Sequence, residues 1–426
     1  MGLVTLISLL IWNTTFASLD GLSLHMRGKP LNSDEKKEVT LTVTDWMERW
    51  KKEDSFNDTL TKYWLRVLKI QKISDPLDVK NPITQDNYRI LLQKNNKPKL
   101  YAVASTCPNI TKVYIIEGKD TCACADIIQI KPKWSKDPQP ICPITQSICG
   151  ASLENCLPLG NNALQGGPGL NESWWQDIVK GFTEEPGRYI AKVVMEDKPW
   201  TDVIQSQNGL MNGIMGYFVT TLGQSFREAS PPGTQFGSAW DPNSRDFVWT
   251  PGSPSHAGVL TTLSYQGQHN GWRAKAVVAM DAFLCRKFVV PDGAVPIPSA
   301  ETNLMIKPYC SICHLTLEPL SRFFHHWPNV GAPQGYSFFP DDKTVGAEFQ
   351  GWTGQDVPDL AKAYIATKDF NECAIKRTFE FISGRSLTSQ ELLFYLPQWV
   401  QTLEKNKSVM WPVFLQMANT LEKGSP

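Results

Sequence analysis

Cys310-Ser311-Ile312-Cys313-His314 is the feature that most constrains what this chain can build. On one helical turn, two thiols at this spacing stand together and the next residue projects beside them. That is the c-type haem attachment pattern. The thiols reach the two vinyl groups on one edge of a porphyrin and form thioethers, and the histidine meets the iron as axial ligand. With 10 Cys and 6 His in 426 residues, a chance match at this composition is on the order of 0.3%. The rival readings are a redox dithiol and half of a zinc site. A thioredoxin-like dithiol wants a preceding strand and a βαβ context, and neither is evident in the sequence. The motif therefore implies one covalent haem c, held by Cys310 and Cys313 with His314 on the iron.

Covalent haem of this kind implies export to an oxidising compartment, and two further features agree. Leu3 to Trp12 is a mostly apolar run of signal-peptide length, and Thr15-Phe16-Ala17 offers a small-x-small cleavage site before Ser18. No Lys or Arg follows Met1 directly, which departs from the usual signal. Cys107, Cys122, Cys124, Cys142, Cys149 and Cys156 crowd one segment, which in an exported protein reads as a disulfide-stapled region whose pairing the sequence leaves open. A periplasmic or secreted protein is expected. Lys+Arg and Asp+Glu balance at 42 each, so charge gives no reason to expect nucleic acid as a partner. No apolar run reaches the length of a transmembrane helix.

Periodicity predicts a mainly α fold. Helical bundles carry a cytochrome c-like haem-binding C-terminal unit and an irregular, β-containing, disulfide-rich insertion. The expected divisions are a signal peptide over 1–17, an N-terminal helical unit over 18–72, the Cys-rich insertion over 73–165, a central helical domain over 166–300 and the haem-binding helical domain over 301–426. Trp46, Met47 and Trp50, then Leu60, Tyr63, Trp64, Val67 and Leu68, recur at helical spacing, so helix is expected from Ser33 to Lys72. Val113-Tyr114-Ile115-Ile116 reads as a strand of the insertion. Gly28-Lys-Pro-Leu31-Asn-Ser33-Asp-Glu35 is echoed by Gly384-Arg-Ser-Leu387-Thr-Ser389-Gln-Glu391. Both read as a glycine-terminated helix end followed by a capping box, with Asn32 or Thr388 as N-cap and Glu35 or Glu391 as its reciprocal partner. Glu184-Glu185 is expected to lie on a solvated face.

The residues around the motif resemble a family. Cys310-x-x-Cys-His314-Leu-Thr-Leu-Glu318-Pro319-Leu320 is similar to the C-x-x-C-H-x-x-hydrophobic-Asp-Pro-hydrophobic signature of bacterial exported multidomain cytochrome c-like haem proteins of planctomycete and myxobacterial type. Ala257-Gly258-Val-Leu260-Thr261 followed by Arg273 and Leu284-Cys285, then Phe370-x-x-Cys373 and Phe381-Ile-Ser-Gly384-Arg385, resemble further landmarks in that family's order. His325, Trp327 and Pro328 depart from it. The resemblance implies the haem and a disulfide between Cys285 and Cys373, which stand at family cysteine positions. It supplies no reaction. The sixth iron ligand stays open among Met305, His325, His326, Met410 and Met417. Methionine would raise the reduction potential, a second histidine would lower it, and an empty position would permit small-molecule chemistry.

The leading expectation is an exported monohaem cytochrome passing electrons between redox protein partners. Two alternatives stand beside it: a peroxidase-like haem oxidoreductase with an open sixth position, and an extracellular binding protein with structural haem.

Overall fold

Helix starts and stops are written locally in this chain. The computed structural model describes residues 19–38, 40–70, 172–222, 240–241, 243–269, 271–289, 303–307, 309–327 and 346–423, with five short strands between positions 102 and 141. Helix α1, Leu19–Arg27, ends on Gly28, whose φ of 69° lets its N–H turn back to the Leu24 carbonyl. The expected reciprocal pair follows: the Glu35 N–H donates to Asn32 Oδ1 at 2.9 Å, and the Asn32 N–H donates to Glu35 Oε2 at 2.8 Å.

The stretch expected to be helical from Ser33 to Lys72 is built as one short turn and two helices. The Asn32 box opens only one 3-10 turn, Glu35–Lys37. A second box, Thr42 with Asp45, then starts α2, Val43–Trp50, and α3 follows as Asp54–Val67. Thr42 satisfies the orphan N–H of Asp45 from an extended backbone conformation, which is incompatible with helix running through it.

In the insertion, β1 (Ala102–Ala104), β2 (Val113–Ile116) and β3 (Lys119–Asp120) form an antiparallel sheet, and β4 (Ile128–Ile130) pairs with β5 (Gln139–Ile141). The six cysteines expected to staple this segment lie outside the described residues, as do the expected signal segment and its cleavage point.

Helix α4, Glu172–Met195, crosses α3 closely. A Cβ on Gly187 would come within 2.6 Å of the Thr61 carbonyl oxygen, so only glycine fits the crossing. Pro186 in α4 has no N–H for the Phe182 carbonyl, and the Ser264 hydroxyl donates to that carbonyl instead, at 2.6 Å. Glu184 and Glu185 are both buried, which corrects the solvated-face expectation. Arg188 pairs with Glu184 at 3.0 Å, whereas Glu185 Oε2 has no hydrogen-bond partner. Burial pushes the Glu185 carboxyl up to about 8.

The chain continues through α5 (Asp202–Gln205), β6 (Gly209–Met211) and α6 (Gly213–Leu222). Strand β7 (Val248–Thr250) returns antiparallel to β6, and α7 (Leu263–Gln268) and α8 (Trp272–Leu284) follow. Then come α9 (Ser311–Ser321), the hairpin β8 (Ala347–Phe349) with β9 (Trp352–Gly354), α10 (Val357–Ile365) and α11 (Lys368–Ser383). Gly384, at φ 70°, ends α11 as Gly28 ends α1. The Thr388–Glu391 box then opens α12 (Ser389–Phe394), before α13 (Leu396–Lys405) and α14 (Trp411–Glu422).

The echo between the two ends extends beyond the caps. Arg27 forks onto Glu35 at 2.7 and 3.1 Å, and Arg385 forks onto Glu391 at 2.8 and 2.7 Å. Helix α1 packs on α3 and α11, and α14 packs on α2, so the N- and C-terminal helices share one hydrophobic cluster. Phe56 of α3 sits edge-on to Trp411 and Phe414 of α14 at 5.8 and 6.3 Å.

Candidate haem-attachment site

The motif opens α9. Tyr309, at φ 63°, is a left-handed residue that breaks the chain away from the preceding turn, and Cys310 follows as the N-cap. The His314 N–H donates to the Cys310 carbonyl at 3.0 Å, so Cys310, Cys313 and His314 occupy one helical turn as the spacing predicts. Neither thiol is in a disulfide, and both are half-buried.

On either side of them in sequence, on α9 and in the turn before it, large apolar side chains are exposed to solvent. Ile306, Tyr309, Ile312 and Leu315 are 63%, 47%, 58% and 57% exposed. Four large exposed apolar residues thus flank the two free thiols within ten positions of the chain. This suits a porphyrin, whose ring is apolar and whose vinyl edge must meet both thiols. The other side of α9 is fixed in the core through Leu317 and Leu320, and the following 3-10 turn adds Phe323 and Phe324.

His314 is oriented from behind. Its Nδ1 lies 2.5 Å from Glu318 Oε1, one turn along α9, which leaves Nε2 as the nitrogen able to meet a metal. Arg273, in the first turn of α8, donates from Nε to the same carboxylate oxygen at 2.7 Å. Burial opposes ionisation of Glu318, but the hydrogen bonds from His314 and Arg273 outweigh it and hold the carboxyl below its usual range. Trp272, beside Arg273, donates from Nε1 to the Trp327 carbonyl at 2.6 Å, closing a second link from α8 to the chain after α9.

Helix α8 is in turn tied to α11. Cys285, left-handed at the C-cap of α8, is joined by a disulfide to Cys373, with Cα atoms 5.3 Å apart. Arg377 of α11 donates to Asp281 Oδ1 at 3.1 Å, and Arg286 pairs with Asp369. One strut therefore carries the disulfide at one end and the carboxylate clamp behind His314 at the other.

The proposed sixth ligands are dispersed. Met305 is half-buried in the turn before the motif, and its N–H donates to Asn303 Oδ1. His325 is buried, with Nδ1 donating to the Arg322 carbonyl at 3.0 Å, and its ring lies 3.7 Å from that of His326. Met410 and Met417 are core residues at the start and middle of α14, a helix that packs on α2, α11 and α13. None of these placements singles out a sixth ligand.

In the sequence Glu318 and Arg273 stand only as landmarks of the resemblance, with no role attached to either. The available signal was a carboxylate four residues after His314 on a helix, the spacing at which side chains meet. Among the described residues, no group of three or more His, Cys, Asp or Glu side chains is gathered as for a metal ion, so the Cys310–Cys313 pair has no zinc-site partners there. No helix among them is long and apolar enough to cross a membrane. No family model matches the chain, and neither a curated protein nor a solved structure shows significant similarity to it.

Proposed function

We propose that this protein is an exported c-type cytochrome with one haem, attached through Cys310 and Cys313 and ligated by His314, that passes electrons between protein partners. The single observation that carries the reading is the first turn of α9, where two free thiols and a histidine share one helical turn flanked by exposed apolar residues. Covalent haem supplies a one-electron redox centre that cannot be lost outside the cell membrane. Cys310 and Cys313 provide the covalent hold, Ile312 and Leu315 shield the ring from water, and His314 presents Nε2 to the iron. The Cys285–Cys373 disulfide agrees with an oxidising compartment, periplasmic or extracellular. The resemblance of the motif and its surroundings to exported cytochrome c-like proteins supports the same reading.

The test is expression in a host with an active haem-attachment system, followed by optical titration. The expected result is a coloured protein that cycles reversibly between ferric and ferrous spectra, with colour lost in Cys310→Ala and Cys313→Ala. A high-spin ferric spectrum with peroxide turnover would replace electron transfer by the enzymatic reading. Colourless protein would overturn both.

A further inference from the structure

The carboxylate behind His314 is more than a packing contact. Glu318 Oε1 is shared between His314 Nδ1 at 2.5 Å and Arg273 Nε at 2.7 Å, and the Glu318 side chain is only 18% exposed. Arg273 comes from a different helix, which the disulfide at Cys285 and the Arg377–Asp281 pair hold in place. Pro319, immediately after Glu318, donates no N–H, so the backbone hydrogen bond to the Leu315 carbonyl is absent on this stretch of α9. The clamp is thus a built triad, His314–Glu318–Arg273, set across two helices.

Resting on the haem reading above, the geometry points to Glu318 as the positioning residue that fixes the His314 tautomer and tunes the iron, with Arg273 as the counter-charge that moderates it. A carboxylate accepting Nδ1–H makes the imidazole a stronger donor to metal through Nε2. A stronger donor favours ferric over ferrous iron and so lowers the reduction potential. Arg273 opposes this by drawing charge from the same oxygen. The two side chains therefore pull the potential in opposite directions.

The experiment uses the full chain carrying its covalent haem, in wild type, Glu318→Gln and Arg273→Gln. The readouts are the midpoint potential and the paramagnetically shifted His314 ring resonances of the ferric form by NMR. Glu318→Gln should raise the potential, by about 59 mV for each tenfold of ferric preference lost, and should move the His314 ring resonances. Arg273→Gln should shift the potential the opposite way. A potential and His314 resonances unchanged in both variants, with haem attached, overturn this inference and leave the cytochrome reading standing. Shifts in potential without any change in the His314 resonances also overturn it, because they report only a nearby charge. Colourless wild-type protein overturns the cytochrome reading itself, and this inference with it.

Discussion

Glu185 gives this fold a stability that falls as pH rises. Its carboxyl is buried in α4, Oε2 has no partner, and neighbouring Glu184 has already taken Arg188. In the unfolded chain the group ionises near its ordinary value of 4.5, whereas burial pushes it up to about 8 in the fold. Below the unfolded value both states hold the proton, and the contribution to stability is fully present. Between the two values the unfolded chain ionises while the fold keeps its proton, so stability is lost progressively. The loss is complete once pH exceeds the folded value. At about 1.4 kcal/mol per pH unit, the window is worth on the order of 4 kcal/mol between about pH 5 and about pH 9. Glu185→Gln keeps the shape of the protonated side chain and removes the titration. Urea unfolding followed by tryptophan fluorescence should therefore show the variant gaining on wild type as pH rises, with the two nearly equal at about pH 4. Parallel profiles for the two proteins would refute the reasoning.

Removing the disulfide by Cys285→Ala with Cys373→Ala frees a loop of 88 residues and should cost up to about 4–5 kcal/mol of unfolding free energy, read by denaturant titration. The same change should broaden the spectrum of any attached haem, because α8 loses one of its ties to α11. Gly384→Ala forces a side chain into a left-handed position with its Cβ 2.2 Å from the His25 ring, and should destabilise by about 2 kcal/mol or more by thermal melting. Thr388→Ala should cost about 1 kcal/mol by the same measurement through loss of a helix cap.

Local chemistry was the legible part of this sequence. Gly28 and Gly384 with their capping boxes, the strand at 113–116 and the helical turn of the motif all depend on residues a few positions apart, and each stands where the pattern places it. Long-range relations were not. One local signal was missed as well: the Thr42–Asp45 box divides the 33–72 stretch, and hydrophobic spacing does not register it because Val43, Trp46 and Trp50 keep helical period only from the box onward. The burial of Glu184 and Glu185 depends on α3, α6 and α7 covering α4, which an acidic pair in sequence does not reveal. The meeting of Arg273 with Glu318 spans 45 positions and is set by the packing of α8 on α9.

The most direct test of the central claim is the intact mass of the unfolded protein after production in a haem-attaching host, with peptide mapping of residues 310–314. The expected result is a mass gain equal to one haem that survives denaturation and acid extraction, located on a peptide in which Cys310 and Cys313 both resist alkylation. A chain at its unmodified mass, with both thiols alkylated or joined to each other, would contradict it.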